Sequence, residues 1–108
     1  MTIERDDLTD PSGAWVQVTS FEGTPAVIDV ALQQVSRQLV PLLRDSEGWR
    51  RTIGLRSPDG RQGVVLSFWA DRDALIGSER TTVEVRERAA AAGLDVDVDR
   101  LELRFDEQ

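Results

Sequence analysis

Apolar and polar positions alternate in four stretches of the chain and recur at helical spacing in two others. The first alternating run, "AWVQVTSF" (residues 14–21), is rich in β-branched and aromatic side chains that suit a pleated, half-buried surface, and predicts a first strand. Glu22-Gly23 ends it. Thr24 then stands as a helix N-cap before Pro25 at the first helical position. Ile28, Ala31, Leu32, Val35, Leu39, Leu42 and Leu43 follow at helical spacing. Pro41 falls within this run and has no N–H to donate, so the helix is expected to kink or end there, before Gly48.

"WRRTIGLR" (residues 49–56) and "QGVVLSFW" (residues 62–69) predict two further strands joined by the tight turn "SPDG", in which Pro58 presets φ and Gly60 completes a type I turn. Asp71 is placed to cap a second helix, and Asp73 sits in that helix's positive first turn. One face of the helix is formed by Leu75, Ser78, Thr82, Val85, Ala89 and Ala92, and Gly93 stops it. "LDVDVDRLELRF" (residues 94–105) is the fourth strand; its apolar parity changes at Arg100, which suggests a bulge.

The order βαββαβ predicts an α+β, ferredoxin-like sandwich, in which two helices cover one face of a four-stranded antiparallel sheet. Yet the strands are apolar on both parities: Val16 and Val18 oppose Trp15 and Phe21, and Val64, Leu66 and Phe68 oppose Val65 and Trp69. A sheet with one solvated face would carry polar residues there. The bare face therefore predicts a homodimer that closes a dimeric α/β barrel. One domain over residues 14–105 is expected, with an acidic, flexible tail over residues 1–13 and a short tail over 106–108.

Composition narrows the chemistry. The 108 residues contain no histidine, cysteine or tyrosine, which removes the usual base near neutral pH, thiol nucleophiles, disulfides and the commonest metal ligand. All thirteen basic residues are arginine against twenty acids, a net charge of −7, so a phosphate backbone is repelled and nucleic acid is not an expected partner. No apolar run is long enough to span a membrane. The opening "MTIERDDLTDPSGA" is acidic where a signal peptide would be basic and then apolar, so a cytoplasmic protein is expected. Walker, dinucleotide-binding and nucleophile-elbow motifs are absent. Asp95, Asp97 and Asp99 imitate the start of a calcium loop. Arg100 replaces its turn glycine, however, Glu107 falls one residue late, and carboxylates two apart on a strand lie roughly 6.7 Å from each other, so no metal is expected. The hairpin arginines Arg50, Arg51, Arg56 and Arg61 point alternately to opposite faces and read as a solvated hairpin.

The segment "VPLLRDSEGWRRTIGLRSPDG", followed by "GVVLSFWADRDALIGSE", resembles the small dimeric α/β-barrel proteins related to antibiotic-biosynthesis monooxygenases. In that family a helix ends before a proline-glycine-phenylalanine turn, a hairpin follows, and a strand ends in tryptophan before an acidic helix start. Here Glu47-Gly48-Trp49 stands at the turn, keeping the glycine and an aromatic. The resemblance implies the ferredoxin-like dimer and a range of activities. The haem-degrading branch needs a histidine that this chain lacks, whereas cofactor-independent oxidation of a phenolic or polyketide-like substrate needs only a pocket that stabilises an ionised phenol or enol.

Trp69 matches the family's strand-end tryptophan, which lines a cavity. Trp15, Gln17, Thr19, Ser67 and Trp69 share one parity of the central strands and combine two aromatic walls with an amide and hydroxyls, a set suited to a planar oxygenated ligand. Arg51 joins them as an oxyanion donor if it points the same way. The same tryptophans can equally fill a core, Gln17 and Thr19 can serve only the sheet, and parity does not reveal which face lies under the helices. Two readings follow. One is a cofactor-independent monooxygenase; the other is a non-catalytic homodimeric module that binds a small aromatic ligand or is only structural.

Overall fold

A computed structural model describes residues 14–107, so the tail expected over residues 1–13 lies outside the described part. Strand β1 (Trp15–Glu22) leads into helix α1 (Pro25–Gln34), a π-helical turn (Val35–Leu39) and helix α2 (Val40–Arg44). Strands β2 (Trp49–Arg56) and β3 (Gln62–Trp69) form the hairpin. Helices α3 (Arg72–Gly77) and α4 (Glu79–Ala91) then return the chain to strand β4 (Asp95–Glu102). The antiparallel sheet runs β2-β3-β1-β4, the ferredoxin-like order expected from the pattern.

The local signals work as chemistry predicts. Gly48 adopts φ 83° in the turn before β2, where an added Cβ would also collide with the Ala74 side chain. At the hairpin tip the Gly60 amide donates to the Ser57 carbonyl at 2.9 Å. Asp59 Oδ1 accepts from the Arg61 amide at 3.0 Å and from the Ser57 hydroxyl at 2.7 Å; these bonds hold its carboxyl below the usual carboxylate range. The Asp71 carboxylate caps α3 by accepting from the Ala74 amide at 2.8 Å. Gly63 lies under the Phe21 ring, where a Cβ would approach to 2.5 Å.

Four details differ from the sequence reading. The first helix does not end at Pro41 but continues to Arg44, and the Val40 amide reaches back to the Val35 carbonyl across a π turn just before the proline. Beyond that turn Leu39 and Leu43, four apart on one face, are buried while Leu42 is 57% exposed. The second helix is interrupted at Ser78, whose buried hydroxyl donates to the Leu75 carbonyl at 2.7 Å. Strand β4 ends at Glu102 and has no bulge: it pairs with β1 in unbroken register, and its parity changes because Val96 and Val98 face the helices while Leu101 lies on the other face. The bulge is in β2 instead. Trp49 pairs with Trp69 and Arg51 with Phe68, which leaves Arg50 as the extra residue.

The helices pack on the sheet face that carries Trp15, Gln17, Thr19 and Phe21. The core on that face is divided. At one end Phe21, Ile28, Val65 and Leu94 pack together, and at the other Leu39, Leu43, Trp69 and Leu75 do so. The opposite face carries Val18, Val64, Leu66, Phe68, Ile53 and Leu55, with no helix over it among the described residues.

Candidate functional site

Between the two half-cores lies a cavity of about 170 Å³, floored by the centre of the sheet and walled by α1, the π turn and α4. The helical layer closes around the π turn, where α4 approaches it, and opens farther along α1. Exposed Val30, Gln34 and Arg88 lie at the mouth. The walls are mainly aliphatic, from Val35, Leu39, Val65 and Val85 among others.

Three of the polar side chains that line the cavity are buried. Gln17 is 3% exposed, Ser67 7% and Thr82 6%, and these buried polar side chains all border the one cavity. Thr82 bonds to its own helix, donating to the Ser78 or Glu79 carbonyl at 3.4 and 3.3 Å. Two buried atoms of the lining have no protein partner: Gln17 Oε1, an acceptor, and Arg86 Nη1, a donor. Burying a polar atom without a hydrogen bond costs about 1–3 kcal/mol, more for a charged group, so these two atoms favour a ligand that brings an oxygen and a hydroxyl to them.

Of the residues singled out by the sequence, Gln17, Thr19 and Ser67 line this cavity. The others do not. Trp15 and Trp69 stand side by side across β1 and β3, with Trp49 next in the row on β2, and all three belong to the neighbouring half-core. Trp69 is 1% exposed and does not border the cavity, which shares Leu39, Val35 and Val85 with its half-core; its indole Nε1 is buried without a partner. Arg51 lies on the helix-free face with its guanidinium 5.1 Å from the Phe68 ring centroid, because the bulge at Arg50 reverses its parity relative to Trp49.

The sequence reading missed Arg86, although the spacing contains it: Arg86 is four residues after Thr82 and three before Ala89, on the predicted apolar face. It missed Thr52 as well, which lies opposite Ser67.

No protein-family model matches the chain, and no curated protein matches it either. Solved structures do match in fold. A monooxygenase from the gene ActVA-Orf6 of Streptomyces coelicolor, in complex with the ligand nanaomycin D, superposes with a TM-score of 0.71 at 18% identity, over 91% of this chain and 93% of that one. SnoaB, a cofactor-independent oxygenase from Streptomyces nogalater, gives 0.61 at 17% identity, over 89% and 96%. A dimeric ferredoxin-like protein from an uncultured marine organism gives 0.70 at 8% identity, over 91% and 94%. The chain thus has the ferredoxin-like α+β fold of these dimeric and oxygenase proteins, the fold implied by the resemblance in its sequence.

Proposed function

We propose that this protein is a homodimer whose interhelical cavity binds a planar, oxygenated aromatic molecule and, like the cofactor-independent oxygenase SnoaB of the same fold, oxidises it without a bound cofactor. The observation that carries the proposal is the pair of buried, unpartnered atoms, Arg86 Nη1 and Gln17 Oε1, in one apolar-walled cavity. A guanidinium in low dielectric favours an ionised phenol or enol, and the amide oxygen accepts from a neighbouring ligand hydroxyl. An enolate held this way is electron-rich at carbon and reacts with oxygen. A ring methylene and O₂ then become a ring carbonyl and water, with both hydrogens of the water drawn from the methylene. The role of Arg86 in that step is to hold the oxyanion; Gln17, Thr19 and Ser67 orient the ring.

The homodimer is supported by the helix-free sheet face, on which Val64, Leu66 and Phe68 of the central strand would otherwise meet water. The dimeric neighbour of the same fold supports it as well. The alternative, binding without turnover, is favoured by the absence of histidine, cysteine and tyrosine.

The test is a titration with a hydroxyanthraquinone followed by tryptophan fluorescence, then oxygen uptake with an anthrone in metal-free and flavin-free buffer. Saturable quenching, weakened tenfold or more in Arg86→Leu, is expected, together with oxygen consumption that Arg86→Leu abolishes. Quenching without oxygen uptake selects the binding module. Absence of both rejects the site.

A further inference from the structure

The geometry points to Trp49 and Thr52 as positioning residues that fix Ser67 as a hydrogen-bond donor into the cavity, so that the site selects a ligand with an acceptor oxygen, such as a ketone, at that point. This rests on the binding reading above and adds a direction to one of its contacts.

The direction of the first bond follows from what each group can do, and cooperativity favours the same direction in the second. An indole N–H only donates, and Trp49 Nε1 donates to Thr52 Oγ1 at 3.0 Å. Thr52 Oγ1 lies 3.3 Å from Ser67 Oγ. Either hydroxyl can donate across this contact; accepting from the indole polarises the Thr52 hydroxyl and favours sending its single proton to Ser67 Oγ, the side-chain acceptor beside it. Ser67 then receives from Thr52 and turns its own proton into the cavity that it lines. Its cross-strand neighbour there is Gln17, whose Oε1 lacks a donor. Each bond in such a chain polarises the next, which makes the Ser67 hydroxyl a stronger donor than an isolated serine.

The backbone is shaped for this arrangement. Residues three apart on a regular strand point to opposite faces. The extra residue Arg50 brings both Trp49 and Thr52 to the helix-covered face, Trp49 opposite Trp69 and Thr52 opposite Ser67. Bulges of this kind re-aim side chains next to functional sites. The same bulge sends Arg51 to the other face, so the irregularity that removes one candidate donor from the cavity supplies the relay to another.

The experiment compares 9-fluorenone, a planar ketone whose single polar atom is an acceptor, with fluorene, which has the same rings and no oxygen. Affinities are measured by fluorescence quenching of the full chain. The carbonyl stretch of bound fluorenone is read by isotope-edited infrared difference spectroscopy, in which a donated hydrogen bond lowers the frequency. The wild type is expected to prefer fluorenone and to lower its carbonyl stretch. Thr52→Val, close in shape, should weaken fluorenone roughly fivefold, the scale of one neutral hydrogen bond, leave fluorene unchanged and return the band toward its frequency in apolar solvent. Thr52→Ser should restore both readings, and Trp49→Phe should move the band the same way by less. An equal loss for both probes, or an unshifted band in Thr52→Val and Trp49→Phe, overturns the inference and leaves Thr52 a packing residue. Failure of the wild type to bind either probe removes the binding reading itself, and this inference with it.

Discussion

Asp59 shows how far a single residue can be followed from the sequence. The motif Ser57-Pro58-Asp59-Gly60 predicts a turn, and in the folded chain the Asp59 carboxylate accepts from the Arg61 amide and the Ser57 hydroxyl, which hold its pKa below the ordinary value. A lowered folded pKa gives stability that is complete above the unfolded value of about 3.9 and is lost as pH falls through the folded one. Urea midpoints should therefore be lower for Asp59→Asn than for the wild type near neutrality, with the difference closing as the pH drops below about 4; a difference independent of pH would refute the assignment. Trp69 is the contrasting case. Its place at a strand end identifies it as important but not as wall or core, because that depends on which half of a divided core surrounds it. It packs with Leu39, Leu43 and Leu75, so Trp69→Ala should cost about 3–5 kcal/mol in denaturant unfolding, while Trp69→Phe is expected to cost far less. Arg86 is hidden for another reason: a charged residue on an apolar stripe looks like an interruption until the cavity beneath it is seen.

At the scale of elements, strand and helix identities are legible because period and capping agree. Asp71 is both the predicted and the observed cap of α3, and Asp71→Ala should lower stability by about 0.5–2 kcal/mol without changing the helical content of the remaining chain. What is not legible is irregularity. Pro41 signals a disturbed helix, but the same missing N–H is compatible with a stop, a kink or a π turn, and the chain takes the π turn. The change of apolar parity points to a bulge in β4. That parity change has another cause, since Leu101 lies on the helix-free face at no cost to the register, while the true bulge in β2 hides in an arginine pair where apolar parity carries no signal. Side-chain alternation reports faces, and it reports register only when one of the faces is solvated.

The molecule as a whole has two unusual surfaces, and both bear on function. One is the apolar sheet face without helical cover. If it is the dimer interface, light scattering should give twice the mass of one chain at micromolar concentration, and Phe68→Glu should yield a folded monomer; a monodisperse wild-type monomer would contradict the barrel. The other is internal, the apolar-walled cavity with its few buried polar groups, which lies between the two clusters of the core. A core built for stability alone would have no reason to bury Gln17 with an unpartnered oxygen, which supports the proposed ligand role of this cavity, held at the expense of stability. Thermal unfolding of the wild type and Gln17→Leu, at one protein concentration with and without saturating hydroxyanthraquinone, tests it most directly. Gln17→Leu is expected to melt higher than the wild type in the absence of the probe, by an amount corresponding to about 1 kcal/mol, and to gain less from the probe than the wild type does. A variant that melts lower, with the probe raising neither protein or both equally, would show that Gln17 serves the fold and would contradict the claim.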